Sequence, residues 1–277
     1  MISLSLVIYF CFGLVVGSFI NVVVLRSGVR AISGRSACMS CGKKIRWFDL
    51  IPVFSWLHLR GRCRACGSRI SMQYPAVEFL TGSVFALVGG ASLSPFATAT
   101  ELLIGAVLIA IAAYDIRHTI IPDAWVWSFN ALALLSVFLP EGSLTAFSSQ
   151  TAFDAIAGPI VAAPLFALWL VSRGKWIGLG DSKLALGIGW LLGPIGGIQA
   201  ILLAFIIGAI VGLSLIFFSS EVWNRILRKF IPRDLWCRIG NRITMKSEIP
   251  FGPFLIAACS FVWFSLIYNI PIPFLVL

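Results

Sequence analysis

The sequence predicts an all-α polytopic membrane protein of about eight transmembrane helices, with a small four-cysteine loop domain between the first two. Three observations carry that expectation. Of 277 residues 59% are hydrophobic and only 12% charged, and the mean hydropathy is +0.98. The apolar stretches reach the roughly 20 residues that a helix needs to cross a bilayer. Once those stretches are taken as spans, all 21 Lys and Arg fall at or in loops on one side.

The spans run over residues 3–24, 76–92, 101–116, 124–140, 153–172, 182–193, 197–219 and 252–270. The sixth is short and ends in Gly193-Pro194-Ile195-Gly196-Gly197, so a half-helix or a tight helical hairpin is the alternative to a full crossing. In this topology ten basic residues lie between Arg26 and Arg69, one is Arg117, three run from Arg173 to Lys183 and seven from Arg225 to Lys246. The opposite loops, at 93–100, 141–152, 194–196 and 271–277, carry none. Basic loops are retained in the cytoplasm, which puts both termini outside the plasma membrane. The net charge of +10 is therefore topological: lipid, not nucleic acid, is the expected surroundings. Residues 1–25 contain no Lys or Arg, so the first span reads as a retained helix and not a cleaved signal. The expected organisation is a first helix over 1–25, a cysteine domain over 26–75 and a membrane body over 76–277 with a basic cytoplasmic loop at 220–248. Within that loop, 222–230 has the pattern of a membrane-surface helix or of a solvated loop.

The cysteines sort by spacing. Cys38 and Cys41, and Cys63 and Cys66, form two Cys-x-x-Cys pairs separated by 21 residues, the pattern of a four-thiolate zinc site. A cytoplasmic loop keeps thiols reduced, and a loop of about fifty residues buries little core, so a metal supplies part of its folding energy. Four thiolates make a closed, structural site. Cys11 and Cys259 read as small apolar helix residues and Cys237 as incidental.

The eleven acidic residues are few enough to weigh individually. Asp49, Glu221, Asp234 and Glu248 fall in cytoplasmic loops, and Glu141 and Asp154 flank an outer one. Glu101 opens the third span and Asp123 the fourth, where a helix amino end accounts for them. Glu78 stands near the start of the second span. Asp181, in Gly178-Leu179-Gly180-Asp181-Ser182-Lys183, suits either capping or catalysis. Asp115 ends an apolar run at a helix carboxyl end, where the macrodipole disfavours an anion; pairing with Arg117 or His118 is its plain explanation. Ionisable groups at membrane depth are costly and mark function. Two such carboxylates, each the other's partner, share a proton and can activate a water against a peptide bond. Gly178 and Gly180 permit close backbone approach and unusual dihedrals, and Lys183 either tempers the charge of the site or snorkels. The same carboxylates suit a proton-coupled transporter, which calls for midplane placement and internal symmetry that the sequence lacks. A non-catalytic assembly factor, docking through its cysteine loop, is the third reading.

The order of motifs resembles that of the type IV prepilin peptidases over nearly the whole chain. Gly178-x-Gly180-Asp181-x-Lys183 lies downstream of Asp115 and Ile121-Pro122-Asp123. Gly17-Ser18-Phe19-Ile20-Asn21 with Arg26 is similar to that family's first span, and 50–78 to its cysteine domain. Pro250-Phe251-Gly252-Pro253-Phe254 is similar to its last-helix motif. The resemblance implies a bifunctional inner-membrane enzyme that removes the leader of prepilins or pseudopilins after a glycine. It then methylates the new amino terminus from S-adenosylmethionine. It implies Asp115 and Asp181 as the catalytic pair and Cys38, Cys41, Cys63 and Cys66 as zinc ligands. Substrate or cofactor contacts from Asn21, Arg26, Glu78, Gly178, Gly180 and Lys183 complete the expected site. The basic segment 220–248 is longer than the family's link, and the first cysteine pair, Cys-Met-Ser-Cys, lacks the proline often found there.

Overall fold

A bilayer offers no partners for backbone N–H and C=O groups, so an apolar chain within it must satisfy them inside each segment, as helices do. The computed structural model, which describes residues 4–27, 34–138, 149–219 and 250–271, is built that way. Its helices are α1 (Leu4–Arg26), α2 (Phe54–His58), α3 (Gln73–Gly90), α4 (Pro95–His118), α5 (Asp123–Phe138), α6 (Ser149–Ser172), α7 (Leu179–Ser219) and α8 (Gly252–Ile267). Among the described residues there is no strand, only two isolated antiparallel bridges in the loop between α1 and α3. Leu4–Arg26, Pro95–His118, Phe153–Ser172 and Leu179–Leu215 are long and apolar enough to cross a membrane, and α5 and α8 are shorter apolar helices. The chain is a multi-pass membrane protein. The segment 220–248, with Cys237, lies outside the described residues.

Two boundaries differ from expectation, each for a local reason. The third span begins at Pro95, not at residue 101: Ser94 caps α4, its side chain accepting from the Ala97 N–H at 3.3 Å, and Pro95 supplies a first helical residue whose missing N–H costs nothing. Glu101 thus lies beyond the first turn. The spans expected at 182–193 and 197–219 are the two limbs of α7, separated at Gly193. There φ is +72° and ψ 177°, a conformation open essentially to glycine alone, and Pro194 follows with no N–H to continue the ladder.

Helices α4 and α7 organise the bundle: α4 packs on α1, α3, α5 and α8, and α7 on α5, α6 and α8. Ile104, Leu108 and Ile111 of α4, Phe129 of α5, Leu184 and Ile188 of α7 and Leu255 of α8 are fully buried where they meet. Cys259 is buried in this core, whereas Cys11 of α1 is exposed on the apolar outer surface. Helix α1 joins through α3, at near backbone contact: a Cβ on Gly17 would lie 2.7 Å from the Glu78 Cα. Asn21, buried, donates to the Tyr74 carbonyl at 3.1 Å and ties the same pair together. Gly17→Leu is therefore expected to lower the thermal midpoint in detergent, at a cost of about 1–3 kcal/mol or more. Gly212→Leu, at a position with no neighbouring atom within 4 Å, leaves it unchanged.

Candidate functional site: a carboxylate pair and a thiol cluster

Three helix ends meet at the carboxylates. Asp115 stands in the last turn of α4, whose carboxyl end closes with the Thr119 N–H donating to the Asp115 carbonyl at 2.7 Å and Thr119 in the left-handed region. Asp181 stands in the first turn of α7, and Gly252 is the first residue of α8. Both carboxylates are withdrawn from solvent, Asp115 at 3% and Asp181 at 8% exposure, and they are near enough for their charges to interact. The Gly252 N–H donates to Asp115 and the Gly178 N–H to Asp181. One Asp181 oxygen, Oδ1, is buried with no partner.

Close approach explains the glycines here. A Cβ on Gly252 would collide with Asp115 Oδ2, and one on Gly180 would lie 3.0 Å from the Ile121 Cβ. Neither Gly178 nor Gly180 has a positive φ, so the unusual dihedrals anticipated for them are not the reason for their presence. Ile121 also faces Gly252, making it a wall shared by the ends of α7 and α8. Lys183 turns away from the pair: its Nζ meets Asp123 Oδ1 at 2.6 Å, and its carbonyl accepts from Asn130 Nδ2 at 3.1 Å. Asp123, read from sequence as a helix cap, thus fastens the start of α5 to the start of α7. Gly252, Ile121 and Asn130 carried no site assignment from sequence. Gly252 lies in the segment similar to the family's last-helix motif and Ile121 precedes Pro122-Asp123 in another, but neither had a stated role.

The second cluster lies in the loop between α1 and α3. Cys38, Cys41, Cys63 and Cys66 place their sulfurs within 4.8 Å of one another, an arrangement that can hold a metal ion. The two pairs are built alike. In each, the first cysteine's N–H donates to the carbonyl five residues on, and a glycine N–H returns to the first cysteine's carbonyl at 2.9 Å. Gly42 and Gly67, both at φ +68°, make those turns possible. The Cys38–Cys66 sulfur separation of 3.8 Å is close to the edge of a tetrahedron with metal–sulfur bonds of about 2.3 Å. Backbone N–H from Cys41, then the Ser68 hydroxyl, bring the Cys38 thiol down to about 6, and the Ser68 hydroxyl likewise lowers Cys66. Donors aimed at sulfur are what a thiolate ligand set needs.

Between this cluster and the membrane helices lies a cavity of about 940 Å³, reached by Arg26, Tyr74, Glu78 and Arg117. Arg26 donates to the carbonyls of Gly34 and Arg35, holding the loop to the end of α1. Glu78 Oε2 accepts from the Val53 N–H at 2.7 Å and holds it to α3. Arg26 and Glu78 are thus gathered at the cysteine loop and Gly178 and Gly180 at the carboxylates, whereas Asn21 bonds within the α1–α3 pair and Lys183 is engaged by Asp123.

Residues 11–92 match the bacterial peptidase A24 N-terminal domain, and 102–213 the type IV leader peptidase family. A prepilin leader peptidase/N-methyltransferase of Burkholderia pseudomallei is 32% identical over 281 residues, covering 88% of this chain and 80% of that protein. The chain belongs to the type IV leader peptidase family. Proteins of the same name from Dickeya chrysanthemi and Myxococcus xanthus are 29% and 35% identical, over 88% and 79% of this chain and 86% and 65% of theirs. No solved structure matches.

The Lys183–Asp123 pair is partly open to solvent and adds little stability. Asp123→Asn is expected to shift unfolding by under about 1 kcal/mol. Glu78→Leu, which strands the Val53 N–H, is expected to cost about 1–3 kcal/mol and to speed limited proteolysis within 47–57.

Proposed function

We propose that the chain is a prepilin leader peptidase, an aspartic endopeptidase of the bacterial inner membrane that also N-methylates the amino terminus it creates. The observation that carries this reading is the withdrawal of Asp115 and Asp181 together from solvent at adjoining helix ends. Two close carboxylates do not both ionise, so one holds a proton. The ionised member takes a proton from water, whose oxygen attacks the scissile carbonyl, while the protonated member hydrogen-bonds the carbonyl oxygen. Collapse of the tetrahedral intermediate passes a proton to the leaving amine. The backbone amides of Gly178 and Gly252 fix the carboxylates' orientation, and Lys183, engaged by Asp123, positions the start of α7 instead of touching substrate. The substrate is a prepilin or pseudopilin, cut after a glycine at the cytoplasmic face where the basic loops lie.

The four cysteines suit zinc, a structural ion that links the two turns of the loop through Cys38, Cys41, Cys63 and Cys66. A methyl donor such as S-adenosylmethionine supplies an electrophilic methyl group. The cavity beside the loop carries charges of both signs that suit such a molecule: Arg117 toward its carboxylate and Glu78 toward its cationic groups. The chain falls into a first helix (1–25), a zinc-bearing cytoplasmic domain (26–75) and a membrane-embedded peptidase body (76–277), with both termini periplasmic.

Intact-mass spectrometry of a co-expressed prepilin tests the reading. Wild type is expected to remove the leader and add about 14 Da for one methyl group. Asp115→Asn and Asp181→Asn each lower cleavage roughly a thousandfold or more, and Gly252→Ala lowers it by displacing Asp115. Cleavage that survives either Asp substitution overturns the dyad.

Zinc uptake carries its own pH signature. Ligand thiols must lose their protons to bind. With Cys38 lowered to about 6, one thiol is already ionised at neutral pH. Calorimetry of the metal-free protein in buffers of different ionisation enthalpy should count about three protons or fewer released per zinc near pH 7.5, rising toward four below pH 6.

A further inference from the structure

The loop between α1 and α3 carries an apolar face of which only Leu50 also lines the cavity beside the thiol cluster. Within eleven residues, Trp47 (79%), Leu50, Ile51, Phe54 (63%) and Leu57 (61%) are all exposed. Five large apolar side chains facing outward together need a partner. Their position supplies one.

Val53, in the middle of this stretch, forms a tight turn at φ +59° and ψ −51°, with the Phe54 N–H donating to the Pro52 carbonyl. A β-branched residue holds that conformation only under constraint. The constraint is the Glu78 carboxylate, which accepts the Val53 N–H at 2.7 Å and is also bonded by Ser18. Ser18 lies eight residues before the end of α1, about 12 Å along its axis, and Glu78 five residues after the start of α3, about 7 Å along its own. The turn is therefore drawn down beside the two membrane helices and does not stand beyond their ends. Its charged fringe is basic on balance: Arg46 lies over the Phe48 ring and Arg60 and Arg62 follow, while Arg64, over the same ring, is paired with Asp49 at 2.8 Å.

We infer that residues 47–57 form an interfacial anchor, inserting Trp47, Leu50, Ile51, Phe54 and Leu57 into the adjoining leaflet while the flanking arginines engage anionic phospholipid headgroups. Apolar side chains at headgroup depth, ringed by cations, are the pattern of a segment that lies in the interface. The anchor holds the thiol cluster and its cavity against the membrane face, at the end of the bundle where Arg117 follows Asp115 by two residues. The inference stands independently of peptide cleavage.

The test uses the full chain in vesicles of phosphatidylglycerol and phosphatidylethanolamine, with a benzophenone amino acid in place of Trp47 or Phe54. Irradiation is expected to give lipid adducts at both positions. Adding Leu50→Asp and Leu57→Asp to the Trp47-probe protein should cut those adducts about tenfold or more, with metal content per chain unchanged as proof that the loop is folded. Absence of lipid adducts at both positions overturns the anchor. So does replacement of lipid adducts by protein adducts when a prepilin is present, which would make the face a substrate dock.

Discussion

Two carboxylates held close together and away from bulk water repel one another, and the bundle is organised around making that arrangement persist. No single element supplies both. Asp115 comes from the carboxyl end of α4 and Asp181 from the amino end of α7, and between them α4 and α7 pack against all the other long helices. The apolar contacts of Ile111, Phe129, Leu184 and Leu255 behind the pair do the holding, and they are costly to rearrange. Polar contacts then set the details. The N–H groups of Gly178 and Gly252 orient the carboxylates, and the Lys183–Asp123 pair and the Asn130–Lys183 bond register α5 against α7.

How much of this was legible in the sequence depended on whether the signal was local. The cysteine turns were: a Cys-x-x-Cys-Gly pattern specifies a turn, its glycine and its sulfur-directed amides within a few residues, and the structure contains both copies. Helix existence was legible too, because lipid forces apolar segments to be helical. Asp115 stood out by placement, being at the helix end that disfavours it. What escaped were contacts between distant segments. Gly252 has no local reason to be glycine; the reason is Asp115, 137 positions away. Asp123 looked sufficient as a cap, and only the fold shows that its partner is Lys183. The start of α4 was misplaced because Glu101 drew the boundary, while Ser94-Pro95 held the stronger signal.

The cysteine loop shows how a small domain with little core is kept in place. Its interior is a set of turns around four sulfurs, and its position comes from a few bonds reaching the membrane helices: Arg26 to the carbonyls of Gly34 and Arg35, and Glu78 to Val53. Arg26 joins the loop to the end of α1, whereas Glu78 reaches it from five residues inside α3, so the loop overlaps the start of that helix.

The break at Gly193 has a consequence for the crossing of the bilayer. The limb of α7 before it, 179–192, is about 21 Å long at 1.5 Å per residue, against a hydrocarbon thickness of about 30 Å. Helix α8, at 16 residues, rises about 24 Å. Both start beside the carboxylates. The α7 limb is covered by protein along its whole length and α8 along most of its own, so neighbouring helices and not lipid flank these short segments. Each helix that begins beside Asp115 and Asp181 therefore stops short of a full crossing within the bundle, and protein takes up the difference that lipid would otherwise have to match.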